Sequence, residues 1–337
     1  MLKIFYTSSE NDNKFGVSKV VNSLTDNLNK KKIRVKFSNN ILDFFFFKPN
    51  IVHIHGCWKL HLLIIFIFCK IVGIKTIISP HGMIDPFSFS QKKIKKKIAW
   101  FLYQRFIFFR SDLIIVNSKQ EKKNLLNRFH KKKKIIIINH GISLSKNFNL
   151  KDYKNKDLKF VFFSKIHPSK NLMHLIKIWK SDKFFNKFSV HLYGEILDNE
   201  YYLKIKDLIK SNKNIRYKGK LNRNIQNKLR IYDFFLHPSK SENFGLVVIE
   251  ALSSGLYVII NNKLDWKILD ELGYGISIDF NKNQLKKTIL KLRKKKNYLT
   301  NIKSKKKRLE FVKTKYNWKN IIKEYTLEYE NLKFKTF

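Results

Sequence analysis

Short β-branched and aromatic runs alternate with longer stretches of helical periodicity along the whole chain, the pattern of parallel sheets covered by helices. In the first half the strand-like runs are Lys3–Tyr6, Ile33–Phe37, Ile51–His55, Thr76–Ser79, Leu113–Val116 and Ile135–Ile138. Between them, Val17–Lys30, Ile94–Phe109 and Lys119–Phe129 read as helices. From about Lys146 to Asp157 the chain turns to Ser, Asn, Asp and Lys without apolar periodicity, the composition of a connecting segment. The alternation then restarts, with strands expected at Lys159–Phe163, Val190–Tyr193, Ile215–Tyr217, Phe234–His237, Tyr257–Ile260 and Ile276–Ile278. Helices are expected at Asn171–Lys180, Tyr201–Lys210, Asn224–Ile231, Gly245–Ser254 and Gln284–Lys296, and the amphipathic stretch Trp318–Leu332 reads as a closing helix. The expected fold class is therefore α/β, with two Rossmann-like domains over 1–150 and 151–315 and a closing segment over 316–337.

Length supports this division, because 337 residues with 44% hydrophobic content can build two substantial cores. Cys57 and Cys69 form no metal-ligand pattern, and the first thirty residues lack the regions of a secretory signal, so a reducing cytoplasm is expected. Apolar runs such as Leu62–Cys69 fall well short of the roughly 20 residues that cross a bilayer, so no membrane span is expected.

Charge changes the picture more. The 70 Lys and Arg against 25 Asp and Glu leave a net +45, which attracts polyanions. These lysines are scattered among abundant Asn, Ile and Phe, as drift from AT-rich codons would leave them. The runs Lys92–Lys97 and Lys131–Lys134 each sit beside an apolar segment that could rest at an anionic membrane surface and are where a functional patch would lie, the plainer reading of each being a solvated face.

The chemistry concentrates in one stretch, His237-Pro-Ser-Lys-Ser-Glu242-Asn-Phe244-Gly245-Leu246-Val-Val-Ile-Glu250. A strand ends at His237, a polar turn follows, and Gly245 opens a helix whose free amides and dipole suit a phosphate. Glu242 and Glu250 are eight residues apart. At about 1.5 Å rise per helical residue their backbones would be separated by roughly 12 Å, about the span from sugar to ribose in a nucleotide sugar lying across a helix start. Carboxylates so placed can accept hydrogen bonds from hydroxyls at the two ends of such a ligand while the amides between take its diphosphate. The plainer reading of the same spacing makes Glu242 a cap and Glu250 a solvated helix residue.

The segment from Glu242 through Glu250 to Gly255 resembles the Glu-x7-Glu signature of glycosyltransferase family four, retaining enzymes of the GT-B fold. Further segments similar to that family follow in order: Pro49 to Gly56, Ser79 to Pro86, Asn117 to Glu121, Phe163 to Lys170, and Tyr316-Asn-Trp318. The resemblance implies two Rossmann-like domains whose parallel sheets face a central cleft. It implies catalytic roles for Glu242, at the transferred sugar, and His81, near the reacting carbon. Glu250 would hold the ribose, and Lys165 and Lys170 the diphosphate, together with the amides of Phe244, Gly245 and Leu246. Lys165 stands where the family usually has an arginine, which keeps the charge and loses the bidentate fork. Asn171 replaces a common glycine, and Gly16 is the one glycine where the family usually has two, placed where a backbone can approach phosphate.

His53 and His55 are expected to point to opposite faces of their strand and so not to share a metal; they read as structural, or acceptor-side at most. No Asp-x-Asp pair is present, so a metal-independent reaction is expected, with no cofactor beyond the nucleotide-sugar donor as substrate. The absence of a P-loop and of Gly-x-Gly-x-x-Gly removes the main support for nucleoside-triphosphate hydrolysis and dinucleotide chemistry. The implied partner is a glycan or lipid-linked glycan acceptor of cell-surface polysaccharide or lipopolysaccharide, with the protein cytoplasmic or peripheral at the inner membrane face. Two rivals stand beside this. An epimerase of the same fold would isomerise the donor without acceptor, and a basic nucleic-acid-binding protein would leave the spaced glutamates unexplained.

Overall fold

The computed structural model describes residues 1–10, 16–29, 31, 33–128, 134–144, 150, 157–221 and 225–334. The chain divides into two compact units, Met1–Gly141 with Trp318–Phe337, and Ile142–Asn317. The division thus falls at Gly141 and again at Asn317, not near residue 150 as the sequence suggested. The reason is local pairing: the Ile142 N–H donates to the Tyr316 carbonyl at 2.8 Å, which ties the second unit's two ends together. Most of the polar stretch Lys146–Asp157 lies outside the described residues.

In the first unit, β1 (Leu2–Ser8), β2 (Ile33–Phe37), β3 (Ile51–His55), β4 (Lys75–Ser79), β5 (Leu113–Val116) and β6 (Ile135–Ile137) form one parallel sheet in the order β2-β1-β3-β4-β5-β6. Its helices are α1 (Gly16–Asn29), α2 (Ile41–Phe47), α3 (Leu60–Ile71), α4 (Pro86–Ser90), α5 (Lys93–Ala99), α6 (Arg105–Arg110) and α7 (Lys119–Leu126). A π-helical stretch over Trp100–Gln104 joins α5 to α6, so the expected helix Ile94–Phe109 carries a bulge in its middle. Buried on both faces, β3 reads as a continuous buried run, as parallel strands do.

In the second unit, β7 (Lys159–Phe163), β8 (Ser189–Tyr193), β9 (Ile215–Tyr217), β10 (Phe234–His237), β11 (Tyr257–Asn261) and β12 (Gly275–Ile278) pair in parallel in the order β12-β11-β10-β7-β8-β9. The helices are α8 (Leu172–Lys180), α9 (Asn199–Lys210), α10 (Ile225–Leu229), α11 (Leu246–Ser253), α12 (Ile268–Leu272), α13 (Lys282–Lys294), α14 (Lys296–Thr300) and α15 (Ile302–Lys315). Along β7 the period of two is plain: Phe160 and Phe162 enter one core with Trp179 and Leu192, while Val161 and Phe163 enter another with Val248 and Ile249. This strand order reverses direction between β7 and β10, and in such sheets ligands settle beyond the strand ends at that reversal.

α15 escaped the sequence reading because its inner face carries Lys305 and Arg308, each only 1% exposed. Arg308 donates to the Gly255 carbonyl at 3.0 and 2.8 Å and to the Leu299 carbonyl at 2.7 Å, so the buried cation is satisfied by backbone.

The closing helix, α16 (Trp318–Phe334), belongs to the first unit. Trp318, Ile321, Ile322, Tyr325, Tyr329 and Leu332 pack on the β1, β3 and α1 side chains Ile4, Tyr6, Ile51 and Val21. The approach is close enough that a Cβ on Gly141 would come within 2.5 Å of the Trp318 ring. Tyr329 is the polar centre of this contact, its hydroxyl 2.6 Å from that of Tyr6 and 2.9 Å from His53 Nδ1. Tyr329→Phe leaves the Tyr6 hydroxyl and His53 Nδ1 buried without this partner, so the first unit should lose about 1–3 kcal/mol in urea unfolding. A midpoint equal to the wild type would show that these hydroxyls contribute nothing.

Candidate functional site

The second unit's reversal point brings together two turns distant in sequence. After β7 the chain passes Lys165, half-buried, and makes a 3-10 turn over Pro168–Lys170, whose start is capped when the His167 ring accepts the Ser169 N–H. After β10 it makes the turn from Pro238 to Gly245 and enters α11. The turns are laced together: the Lys240 N–H and Ser239 hydroxyl both donate to the Ser169 carbonyl at 3.2 Å, and the Asn171 amide donates to the Pro238 carbonyl at 3.2 Å.

Across this seam Lys170 Nζ lies 2.6 Å from Glu242 Oε1, with the two side chains only 16% and 12% exposed. His237 Nε2 approaches the same oxygen at 3.0 Å from the end of β10, close but bent outside strict hydrogen-bond geometry. Burial by itself would raise the Glu242 carboxyl, but the charge of Lys170 and the contact with His237 outweigh it and hold the group well below its ordinary range. Glu242 is therefore an ionised, preorganised acceptor.

Glu242 sits in the turn and not on the helix, so the helical spacing of roughly 12 Å expected between it and Glu250 does not apply. Gly245 precedes α11 at φ +81, a conformation that favours glycine, and a Cβ there would lie 3.0 Å from Trp266 Nε1. Phe244 is buried against Trp266 and Tyr316, and its carbonyl accepts the Trp266 N–H at 3.1 Å. No side chain caps α11; the Val248 N–H donates to the Gly245 carbonyl at 2.8 Å, which leaves the Leu246 and Val247 amides at the helix start for a ligand. Glu250 lies half-buried on this helix, and the Ser253 and Ser254 hydroxyls donate to its carbonyl at 2.8 Å.

The first unit has its own cluster at the strand ends. His53 and His55 stack at 4.0 Å, so they share a face, contrary to expectation: residues two apart on a strand point the same way. His81, at φ +52 beyond β4, stacks between His55 at 5.2 Å and His140 at 5.6 Å, and its Nε2 lies 2.9 Å from His55 Nδ1. Burial pulls His81 down to about 4 against the opposing bond with Asn117, so the column is neutral near pH 7. His140, which the sequence reading passed over, was marked by its place just beyond the last strand of the unit.

Glu121 anchors the loop, accepting the Gly82 N–H at 2.6 Å and the Asn117 N–H at 2.8 Å; burial pushes its carboxyl up to about 8 against those bonds. Gly16, expected in the turn after β1, is instead the first residue of α1, and Phe15 lies outside the described residues. Among the described residues no three His, Cys, Asp or Glu side chains are grouped to hold a metal ion.

The family description "Glycosyltransferase Family 4" matches residues 7–146, and "Glycosyl transferases group 1" matches 145–309. The chain belongs to the family-four type of glycosyltransferases. This family-four chain is 25% identical over 227 residues to a 41.2 kDa protein of the cps region of Klebsiella pneumoniae, covering 64% of this chain and 61% of that one. It spans less than two thirds of the length of the curated relatives it matches, 61%, 33% and 65%. Its fold is that of sucrose-phosphate synthase from Thermosynechococcus elongatus, with TM-score 0.80, 16% identity and 98% and 99% of the two chains covered. It also matches Anabaena HepE in complex with UDP, with TM-score 0.72, 15% identity and 98% and 100% covered. Both are solved GT-B structures, and the two six-stranded parallel sheets agree with that fold.

Lys170→Ala in the family-four chain strips the main partner from a buried carboxylate and should cost about 3 kcal/mol at pH 7. Because the folded Glu242 sits below its unfolded value of 4.5, the pair stabilises above that pH and the contribution is lost as pH falls. The difference between Lys170→Ala and wild type in urea unfolding should therefore hold from pH 7 down to about 4.5 and shrink on further acidification. A difference independent of pH would mean that the ion pair is not its source.

Proposed function

We propose that the chain transfers a hexose-type sugar from a nucleoside-diphosphate donor to a glycan acceptor of cell-surface polysaccharide or lipopolysaccharide, without a metal ion and with retention of configuration. The reading rests on the ionised Glu242 set beside Lys170 at the uncapped start of α11. Glu242 takes hydroxyls of the sugar. Lys170, Lys165 and the amides from Phe244 to Leu246 neutralise the diphosphate as its charge grows on leaving, which is electrostatic stabilisation in a prepared site. Glu250 holds the ribose, and His81, kept neutral by burial, exchanges its Nε2 contact with His55 for a hydrogen bond to the sugar rather than giving a proton. The UDP in the HepE complex supports a uridine donor, and the cps region of the Klebsiella relative supports a polysaccharide acceptor.

The donor is found by screening nucleotide sugars for thermal stabilisation and then for consumption with excess chelator present, which should leave the rate within about twofold. Consumption without acceptor that yields an isomer would favour the epimerase instead. The two glutamates separate under the same assay. Glu250→Gln touches a part of the donor that does not change and should mainly raise KM, whereas Glu242→Gln should lower kcat on the order of 10²-fold. In calorimetry Glu242→Gln should bind the bare nucleoside diphosphate almost normally and Glu250→Gln more weakly; the reverse would turn the donor end for end.

The acceptor side includes an anionic membrane surface. On the helix through α5 and α6, Ile94, Ile98, Phe101, Leu102 and Phe106 are exposed in helical register, with Lys93, Lys95, Lys97 and Arg105 beside them. A second apolar stripe, Leu60, Ile64, Ile67 and Ile71, lies on exposed positions of α3, and the two helices meet where Phe66 contacts Phe106 at 5.7 Å. From Ile51 to Arg110 the one acidic residue is Asp85, which is buried. No helix among the described residues is long and apolar enough to cross a membrane. Of the other basic run, only Lys134 is among the described residues, and it pairs with Glu328 at 2.6 Å. The protein should sediment with anionic vesicles at low salt and be released at high salt. Equal binding to neutral vesicles would remove the lysines from the account.

A further inference from the structure

His237 is fully buried at the end of β10, a central position where an apolar side chain would pack without desolvating two ring nitrogens. Its Nδ1 has no hydrogen-bond partner among the described residues. Its Nε2 lies 3.0 Å from Glu242 Oε1, so a ring carrying a single proton holds it on Nε2, facing the carboxylate. The ring is also fixed: it stacks on Phe235 at 5.3 Å and 26°, and Phe235 lies against Phe163 at 4.4 Å. Lys170, by contrast, reaches Glu242 through a flexible four-carbon stem from another turn.

If the donor binds as proposed above, on which this inference rests, its diphosphate competes for the Lys170 ammonium. Glu242 then needs a second partner that does not move. We propose that His237 is the positioning residue for Glu242, holding the carboxylate toward the sugar from the end of β10 once Lys170 turns to the diphosphate. The bent approach of Nε2 fits a carboxylate drawn toward Lys170.

The test uses two variants. His237→Leu keeps the bulk and removes the donor, and His237→Gln returns an N–H near the place of Nε2. With the donor the wild-type chain consumes, His237→Leu should lower kcat about tenfold while donor KM and the affinity for the bare nucleoside diphosphate stay within about twofold. His237→Gln should recover most of that loss. Wild-type kcat in His237→Leu overturns the proposal, as does an equal loss in both variants accompanied by a lower melting temperature, which marks a packing role only. Ring nitrogen spectra of the ligand-free chain give a readout apart from turnover. One imidazole signal with a proton on Nε2 should vanish in His237→Leu, and finding that ring with its proton on Nδ1 alone overturns the proposal. If the wild type consumes no nucleotide sugar while the Nε2–H signal is present, the functional reading fails and the contact stands.

Discussion

Everything in the second unit converges on one ion pair. Lys170 and Glu242 are separated by 72 residues and belong to turns at the same end of two adjacent parallel strands. A carboxylate this shielded is tolerated only when partnered, so the pair demands that both turns keep their spacing. The Ser169, Asn171, Pro238 and Lys240 backbone bonds hold that spacing, and the buried Phe244 with the positive-φ Gly245 aims the chain into α11. The residues that flank the glutamates are thus core residues, and they place chemistry by fixing a turn.

The first unit solves a different electrostatic problem. Its strand ends carry stacked imidazoles that burial keeps uncharged, tied by hydrogen bonds to Tyr329, Ser79 and Asn117. A neutral column can orient hydroxyls without adding another cation to a chain that already carries a large excess. Glu121 shows how local and tertiary roles combine. Ser118 and Glu121 have the spacing of a capping box, yet the Glu121 carboxyl group serves the Asn117 amide and reaches across to Gly82, coupling α7 to the His81 loop.

The strands were legible because buried parallel strands are unbroken β-branched and aromatic runs, and the observed ones differ from expectation by no more than an end residue or two. Helices with a polar outer face were legible for the same reason of contrast. α3 was not assigned, being apolar all round, and α15 was missed because Lys305 and Arg308 occupy its inner face, where periodicity looks for Leu or Ile. At the site, the family resemblance implied Glu242, Glu250, Gly245 and Lys170 as neighbours of one ligand. It could not give the Lys170–Glu242 contact, which depends on strand order, or the part played by His237, which reads in the sequence as one more strand end. The error over His53 and His55 was one of geometry rather than of missing information.

The return of α16 to the first unit has a consequence for synthesis. A ribosome delivers β1 and β3 early, but the tyrosines that cover Tyr6 and His53 emerge only after the whole of the second unit has been made. At about 5–20 residues per second that interval is on the order of ten seconds or more, during which the first sheet has one side incompletely covered. The second unit, contiguous from Ile142 to Asn317, can close on its own in the meantime. The nascent chain therefore presents the Tyr6 and His53 side of its first sheet before it has made the helix that covers it.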